Sequence, residues 1–150
     1  MITLALFKKM ANDDVAGLVE DENFFWEEMP LQSNGKPAKG VWLVTRGGDA
    51  SRSPSGWNLK TTIDFYIAMP NKAMTEATHQ AILEWLIENP TICELSGSVG
   101  SVEYAFENIR LRPTTTPQNE GATENGLVVK FASAQLIYDI KHNDEEICYV

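Results

Sequence analysis

Leu4, Phe7, Ala11, Val15 and Leu18 recur at steps of three or four and predict an amphipathic helix over 2–19. Asn12, Asp13 and Asp14 weaken its middle, because short polar side chains compete for backbone hydrogen bonds; they could instead cap a second, shorter helix. Gly17 leaves its end open. A connection over 20–39 follows, in which Phe24, Phe25 and Trp26 are expected to pack and 33–37 (SNGKP) is turn chemistry. Residues 40–46 then read as a strand with Val41, Leu43 and Thr45 on one side and Trp42 and Val44 on the other.

The clearest element is the strand over 57–69. Leu59, Thr61, Ile63, Phe65, Ile67 and Met69 alternate with Lys60, Thr62, Asp64 and Tyr66, a period of two with one face in the core. The small-residue stretch 47–56 between the two strands reads as a long loop, which would make the pair a projecting hairpin. Pro70 and Asn71 end the strand and open a helix over 72–88, with Met74, Ala77, Ala81, Ile82, Trp85 and Leu86 on one stripe and Asn89-Pro90 as its stop. Residues 92–100 read as a connection. A third strand over 101–112 sends Val102, Tyr104 and Phe106 one way and Ile109 and Leu111 the other, which predicts a β-bulge near Glu107-Asn108. A polar loop over 113–126, a long fourth strand over 127–140 and a short tail over 141–150 complete the chain.

The expected fold is therefore α+β: a mixed, mostly antiparallel sheet of about four strands with a long hairpin, packed against two helices in the order α-β-β-α-β-β. The whole chain, 1–150, reads as a single domain with flexible loops near 47–56 and 113–126. Its length is typical of one domain and sufficient for a core of its own. No apolar run approaches the ~20 residues that a membrane helix needs. No secretory signal is read at the start, where Lys8 and Lys9 follow the apolar stretch rather than precede it, so cytoplasmic folding is expected.

Charge narrows the function. The net charge is −9, against a nucleic-acid-binding module. Its distribution is uneven: 13–28 carries seven acids and no base, whereas 36–60 carries five bases (Lys36, Lys39, Arg46, Arg52, Lys60) and one acid, Asp49. Such segments can be scattered solvated charge, or complementary patches that meet on neighbouring subunits. The second reading marks Lys36, Lys39, Arg46, Arg52, Asp13 and Asp14 as candidate interface residues. Trp42 and Trp57, which flank the 47–56 stretch, are read either as a pair within the hairpin or as interface anchors.

Catalytic chemistry finds little support. His79, three residues after Glu76, could be half of a metal site, but no further ligands are spaced for it; His142 falls in the charged tail. Cys93 and Cys148 fit no metal or redox spacing and read as unpaired thiols. The Gly47–Gly56 stretch lacks the Lys-Ser/Thr and following helix of a phosphate loop, and no G-x-S-x-G elbow accompanies Ser53 or Ser96. No catalytic, cofactor-binding or metal site is assigned, and no cofactor is expected.

The N-terminal helix, the stretch Gly40-Val41-Trp42-Leu43-Val44-Thr45-Arg46-Gly47-Gly48 opening a long hairpin, the strand over 61–68, the helix over 73–89 and the late strand over 127–138 together resemble the tail terminator or tail-completion proteins of siphophages, also called minor tail proteins. The resemblance spans about 2–140 and rests on length and order, without an invariant signature. It implies α/β subunits that close into a ring, a hexamer being expected, on the end of the tail tube. The ring would stop tube polymerisation and present a surface to the head-side connector, with the sheets of neighbouring subunits lining its lumen. Implied partners are copies of itself, the tail tube protein and the head–tail connector protein, with no membrane and no specific nucleic-acid binding, although the genome would pass through the ring. The implied location is the virion tail, assembled in the host cytoplasm. The first helix, interrupted at Asn12-Asp13-Asp14, departs from this pattern. The alternatives are a head–tail connector or neck protein, a small ligand-binding domain or enzyme, and a cytoplasmic protein without assembly.

Overall fold

Residues 2–27, 39–53, 56–113, 121–122 and 126–140 are described by a computed structural model. Helix α1 (Ile2–Asn12) is followed by a short 3₁₀ turn (Val15–Gly17), strands β1 (Phe24–Trp26), β2 (Gly40–Ser53) and β3 (Gly56–Met69), helix α2 (Lys72–Glu88), and strands β4 (Thr91–Val99), β5 (Val102–Pro113), β6 (Gly121–Ala122) and β7 (Val128–Ile140). The strands form one sheet in the order β1-β2-β3-β7-β5-β4, with β6 paired to β7. Among the described strands the β1–β2 pair is parallel and the other pairs are antiparallel.

The chain is thus α+β with a mixed, mostly antiparallel sheet, as expected, but the described residues hold seven strands rather than about four, and the order is α-β-β-β-α-β-β-β-β rather than α-β-β-α-β-β. Three strands are added, each for a local reason. β1 is three residues long and β6 two, too short to show a period. In β4, a segment expected to be a connection, the buried apolar residues Ile92 and Leu95 lie three apart, so the strand has no alternation to read. The spacing arises because β4 and β5 turn over together. Asn108 adopts φ 53°, and β5 gains one residue on β7 between Glu107 and Arg110. The bulge expected near Glu107-Asn108 lies in that interval. Register with β4 is kept throughout (Ile92↔Ile109, Leu95↔Phe106), so both strands change parity and bury residues spaced by three.

Residues 47–53 are strand rather than loop. Gly47 to Ser53 pair residue by residue with Thr62 to Gly56, after a bulge at Arg46. Their small polar side chains gave no β signal, and backbone pairing with the strongly patterned β3 supplies the order. The 113–126 loop and the 141–150 tail lie largely outside the described residues.

Helix α1 ends at Asn12, earlier than expected, because Asp14 takes a left-handed conformation (φ 53°). Ile2, Thr3, Leu4, Ala5, Leu6, Phe7 and Met10 are all buried, so the helix is enclosed almost all round. It packs against β4 at one edge of the sheet and against β1 and β2 at the other, which places it inside a strongly curled sheet. α2 lies on the same face over β3, β7 and β5. Asn71 caps it, its side chain accepting from the Met74 amide at 2.9 Å. The buried stripe of α2 is Thr75, Thr78, Ile82, Trp85 and Leu86. The expected members Met74 and Ala77 are exposed instead. The two threonines can be buried because their hydroxyls donate to the main chain: Thr75 Oγ1 reaches Val128 O at 2.9 Å and Thr78 Oγ1 reaches Met74 O at 2.8 Å.

Candidate interaction surfaces

Both long hairpins point the same way. β3 and β5 run antiparallel to β7, and they pair with it only from Leu59↔Tyr138 and Phe106↔Ile140 inward. The outer parts of the β2–β3 and β4–β5 hairpins therefore extend past these pairs as two arms at one end of the sheet. On the concave face at that end lies a cleft of about 810 Å³. Tyr104, Phe106 and Tyr138 form its aromatic floor, Leu59 and Ile140 line it from β3 and β7, and Ile2 at the start of α1 closes its back.

The floor is held by specific contacts. Tyr104 stacks on Phe106 (centroids 5.9 Å apart, rings at 27°), and Phe106 meets the Tyr138 ring edge-on at 5.3 Å. The Tyr138 and Thr61 hydroxyls share a hydrogen bond of 3.1 Å. The Tyr104 ring lies over Gly97, where a Cβ would come within 2.5 Å of the Tyr104 hydroxyl, so a side chain at this cross-strand position would displace the ring. Glu94 and Glu103 also line the cleft, at strand positions that alternate with Leu95 and Tyr104, and the described lining residues include no basic side chain.

The opposite face carries a row of four rings from four neighbouring strands: Phe25 (β1), Trp42 (β2), Tyr66 (β3) and Phe131 (β7). Successive centroids are 6.2, 4.8 and 5.0 Å apart, with interplanar angles of 74°, 81° and 75°. Ala68, Leu127 and Val129 pack beside the row. Burial raises the Tyr66 hydroxyl above its ordinary pKa, since the phenolate would lose hydration. Next to the row Asp64 accepts from Ser133 Oγ at 2.5 Å and faces Arg46 Nε at 3.5 Å. Arg46 is the residue that the β2 bulge adds.

The residues marked in the sequence are dispersed. Lys39 and Arg46 are exposed, Arg52 sits on the β2–β3 arm with its backbone opposite Trp57, and Lys36 lies outside the described residues. Trp42 is only 2% exposed, and its cross-strand partner is Tyr66 rather than Trp57; the Trp57 side chain is outside the description. Asp13 is engaged internally, facing Lys9 at 3.4 Å and accepting from Trp85 Nε1 at 3.2 Å. Asp14 is exposed. Other members of the acidic segment are also held within the subunit: Glu20 pairs with Lys8, and Glu27 accepts from the Thr45 amide at 3.0 Å and from its hydroxyl. Among the described residues no group of three or more His, Cys, Asp or Glu could hold a metal. Cys93 is an exposed free thiol; His142 and Cys148 lie outside the described residues.

The sequence names Leu59, Ser96, Tyr104 and Phe106 separately but does not bring them together as a site. The alternation of Val102, Tyr104 and Phe106 was visible, but nothing indicated that Tyr138, from a distant strand, would join them. Comparison with protein-family models gives no match to this chain, and comparison with curated proteins gives none either.

Proposed function

We propose that this chain is a virion structural protein that forms a ring, a hexamer by expectation, on the end of a siphophage tail tube, where it stops polymerisation and offers the interface to the head-side connector. It works by contact and not by catalysis, without a cofactor. It acts in the virion tail after assembly in the host cytoplasm, with the tail tube protein and the connector as partners.

The observation that carries this reading is the β2–β3 hairpin. It begins with the stretch that resembles tail terminators, continues as paired strand to Ser53, and reaches past the end of its pairing with β7. A hairpin arm on one side and a cleft elsewhere on the same subunit are the two unlike surfaces that a head-to-tail ring requires. A curled sheet filled on one face by helices leaves its arms for neighbours.

The test is a tube-extension assay. Purified tail tube protein is polymerised with and without this chain, and lengths are read by negative-stain microscopy. Tubes that stop growing and carry a ring at one end support the reading. Unchanged lengths with no end-bound density contradict it. A ring that binds connector but not tube would favour the neck-protein alternative.

A further inference from the structure

We propose that the edge of β4 takes up an extended segment of a second protein as an added strand, one whose side chains alternate between apolar and basic; the proposal goes beyond the ring reading and does not depend on it. Among the described residues β4 is the last strand of the sheet and pairs with β5 alone. Val99 and Val102 close the β4–β5 hairpin around two residues, so they form a hydrogen-bonded pair, and bonded and non-bonded pairs alternate from there. Ser98↔Glu103 and Ser96↔Ala105 are then non-bonded pairs, and the amides and carbonyls of Ser96 and Ser98 point out of the sheet. Ser96, Gly97 and Ser98 are all exposed. Folded proteins guard such edges with lysine, proline or a covering element; β4 contains neither residue.

The side chains around this edge select the partner. On the inner face Leu95 is buried, and Gly97 has the half-buried Tyr104 ring over it. Ser96, Gly97 and Ser98 border the aromatic cleft in succession. An apolar side chain opposite Gly97 therefore enters the cleft and meets Tyr104, while main-chain bonds to Ser96 and Ser98 hold the segment extended. On the outer face Ser96 and Ser98 are small, and beyond them β5 presents Glu103, Ala105 and Glu107. An added strand lies ~4.8 Å from β4 and roughly 10 Å from β5. A lysine or arginine of that strand and a glutamate of β5 span this gap together, over the serines. β4 carries no base, so a second copy of β4 brings no complement to these acids, whereas a basic strand does.

The probe is a labelled, end-capped hexapeptide of alternating lysine and valine, its binding to the full chain read by fluorescence anisotropy. The wild type binds it, and binding weakens at high salt. A peptide of alternating glutamate and valine binds at least roughly tenfold more weakly, because its acids meet those of β5. Ser96→Pro removes an outward amide without touching a β4–β5 bond, so circular dichroism and the urea midpoint stay near wild type, and the lysine–valine peptide loses at least roughly tenfold in affinity. Glu103→Gln weakens the same peptide and reduces its salt dependence. Should Ser96→Pro misfold, a lysine–valine peptide N-methylated on the residues that bond β4 replaces it, and this peptide must also bind at least roughly tenfold more weakly. Binding that is equal with and without the N-methyl groups, or equal for the two charge patterns, overturns the proposal, as does absence of binding at millimolar peptide. A wild type that dimerises without peptide, and a Ser96→Pro variant that does not, would assign the edge to a second copy and overturn it as well. The ring reading is untouched by any of these results.

Discussion

Trp42 and Tyr66 face each other across β2 and β3, with ring centroids 4.8 Å apart and planes at 81°, at the centre of an aromatic row that crosses four strands. Edge-to-face pairs of this kind contribute about 0.5–1.5 kcal/mol beyond the area they bury. Trp42, at 2% exposure, is the anchor of the row. Trp42→Ala is expected to cost about 3–5 kcal/mol, and the cycle with Tyr66→Ala should return a coupling of about 1 kcal/mol in urea unfolding. Additive losses would mean that the two rings do not support each other.

Tyr66 also sets a pH dependence. Its hydroxyl is raised above the ordinary value of 10.0 by burial, so the folded state holds the proton more tightly than the unfolded chain does. That contribution is fully present below about pH 10 and is lost as pH rises from there through the folded value. Urea midpoints measured from pH 8 to 11 should fall above pH 10, and Tyr66→Phe should remove part of the fall. An identical decline in both proteins would assign it to other groups.

Gly40 opens β2 with φ 145°, and a Cβ there would sit 2.6 Å from the carbonyl oxygen of Asn23. That carbonyl accepts the Val41 amide at 2.8 Å, so the backbone cannot move aside without giving up the bond that aligns β1 with β2. Gly40→Ala is expected to cost about 1–3 kcal/mol, read as a lowered Tm, whereas Gly47→Ala, where a Cβ meets nothing within 4 Å, should be nearly neutral.

How much of this was legible follows from how burial maps onto local pattern. β3 was plain because Thr61, Ile63, Phe65, Ile67 and Met69 are buried at a period of two. The bulge in β5 was legible from the jump between Phe106 and Ile109. β4 was hidden by the same event, since a strand that turns over in mid-course buries Ile92 and Leu95 at a spacing that matches no strand. The arm reads as a loop in the sequence because residues 47–53 are ordered by pairing with β3 and not by their own side chains. The α2 stripe was misplaced because Thr75 and Thr78 satisfy their hydroxyls on carbonyls and so bury like apolar residues. The cleft was illegible, because Tyr104 and Tyr138 come together only through the β5–β7 pairing.

Asp13 illustrates how a surface charge acquires an internal role. It accepts from Trp85 Nε1 at 3.2 Å and so ties the end of α1 to α2. Asp13→Ala should cost about 0.5–1.5 kcal/mol, with a change in tryptophan fluorescence, and Asp13→Asn should recover most of it because the amide oxygen still accepts. A neutral Asp13→Ala would leave this residue free for the acidic surface that its sequence position suggested.

The central claim is that this protein acts by assembling with itself. Light scattering behind a sizing column, run at several concentrations with imaging of any large peak, tests it most directly. The account predicts a particle of about six subunits, ring-shaped in negative stain, whose share grows with concentration and falls at high salt. A monomer of unchanged mass at every concentration and salt would contradict it.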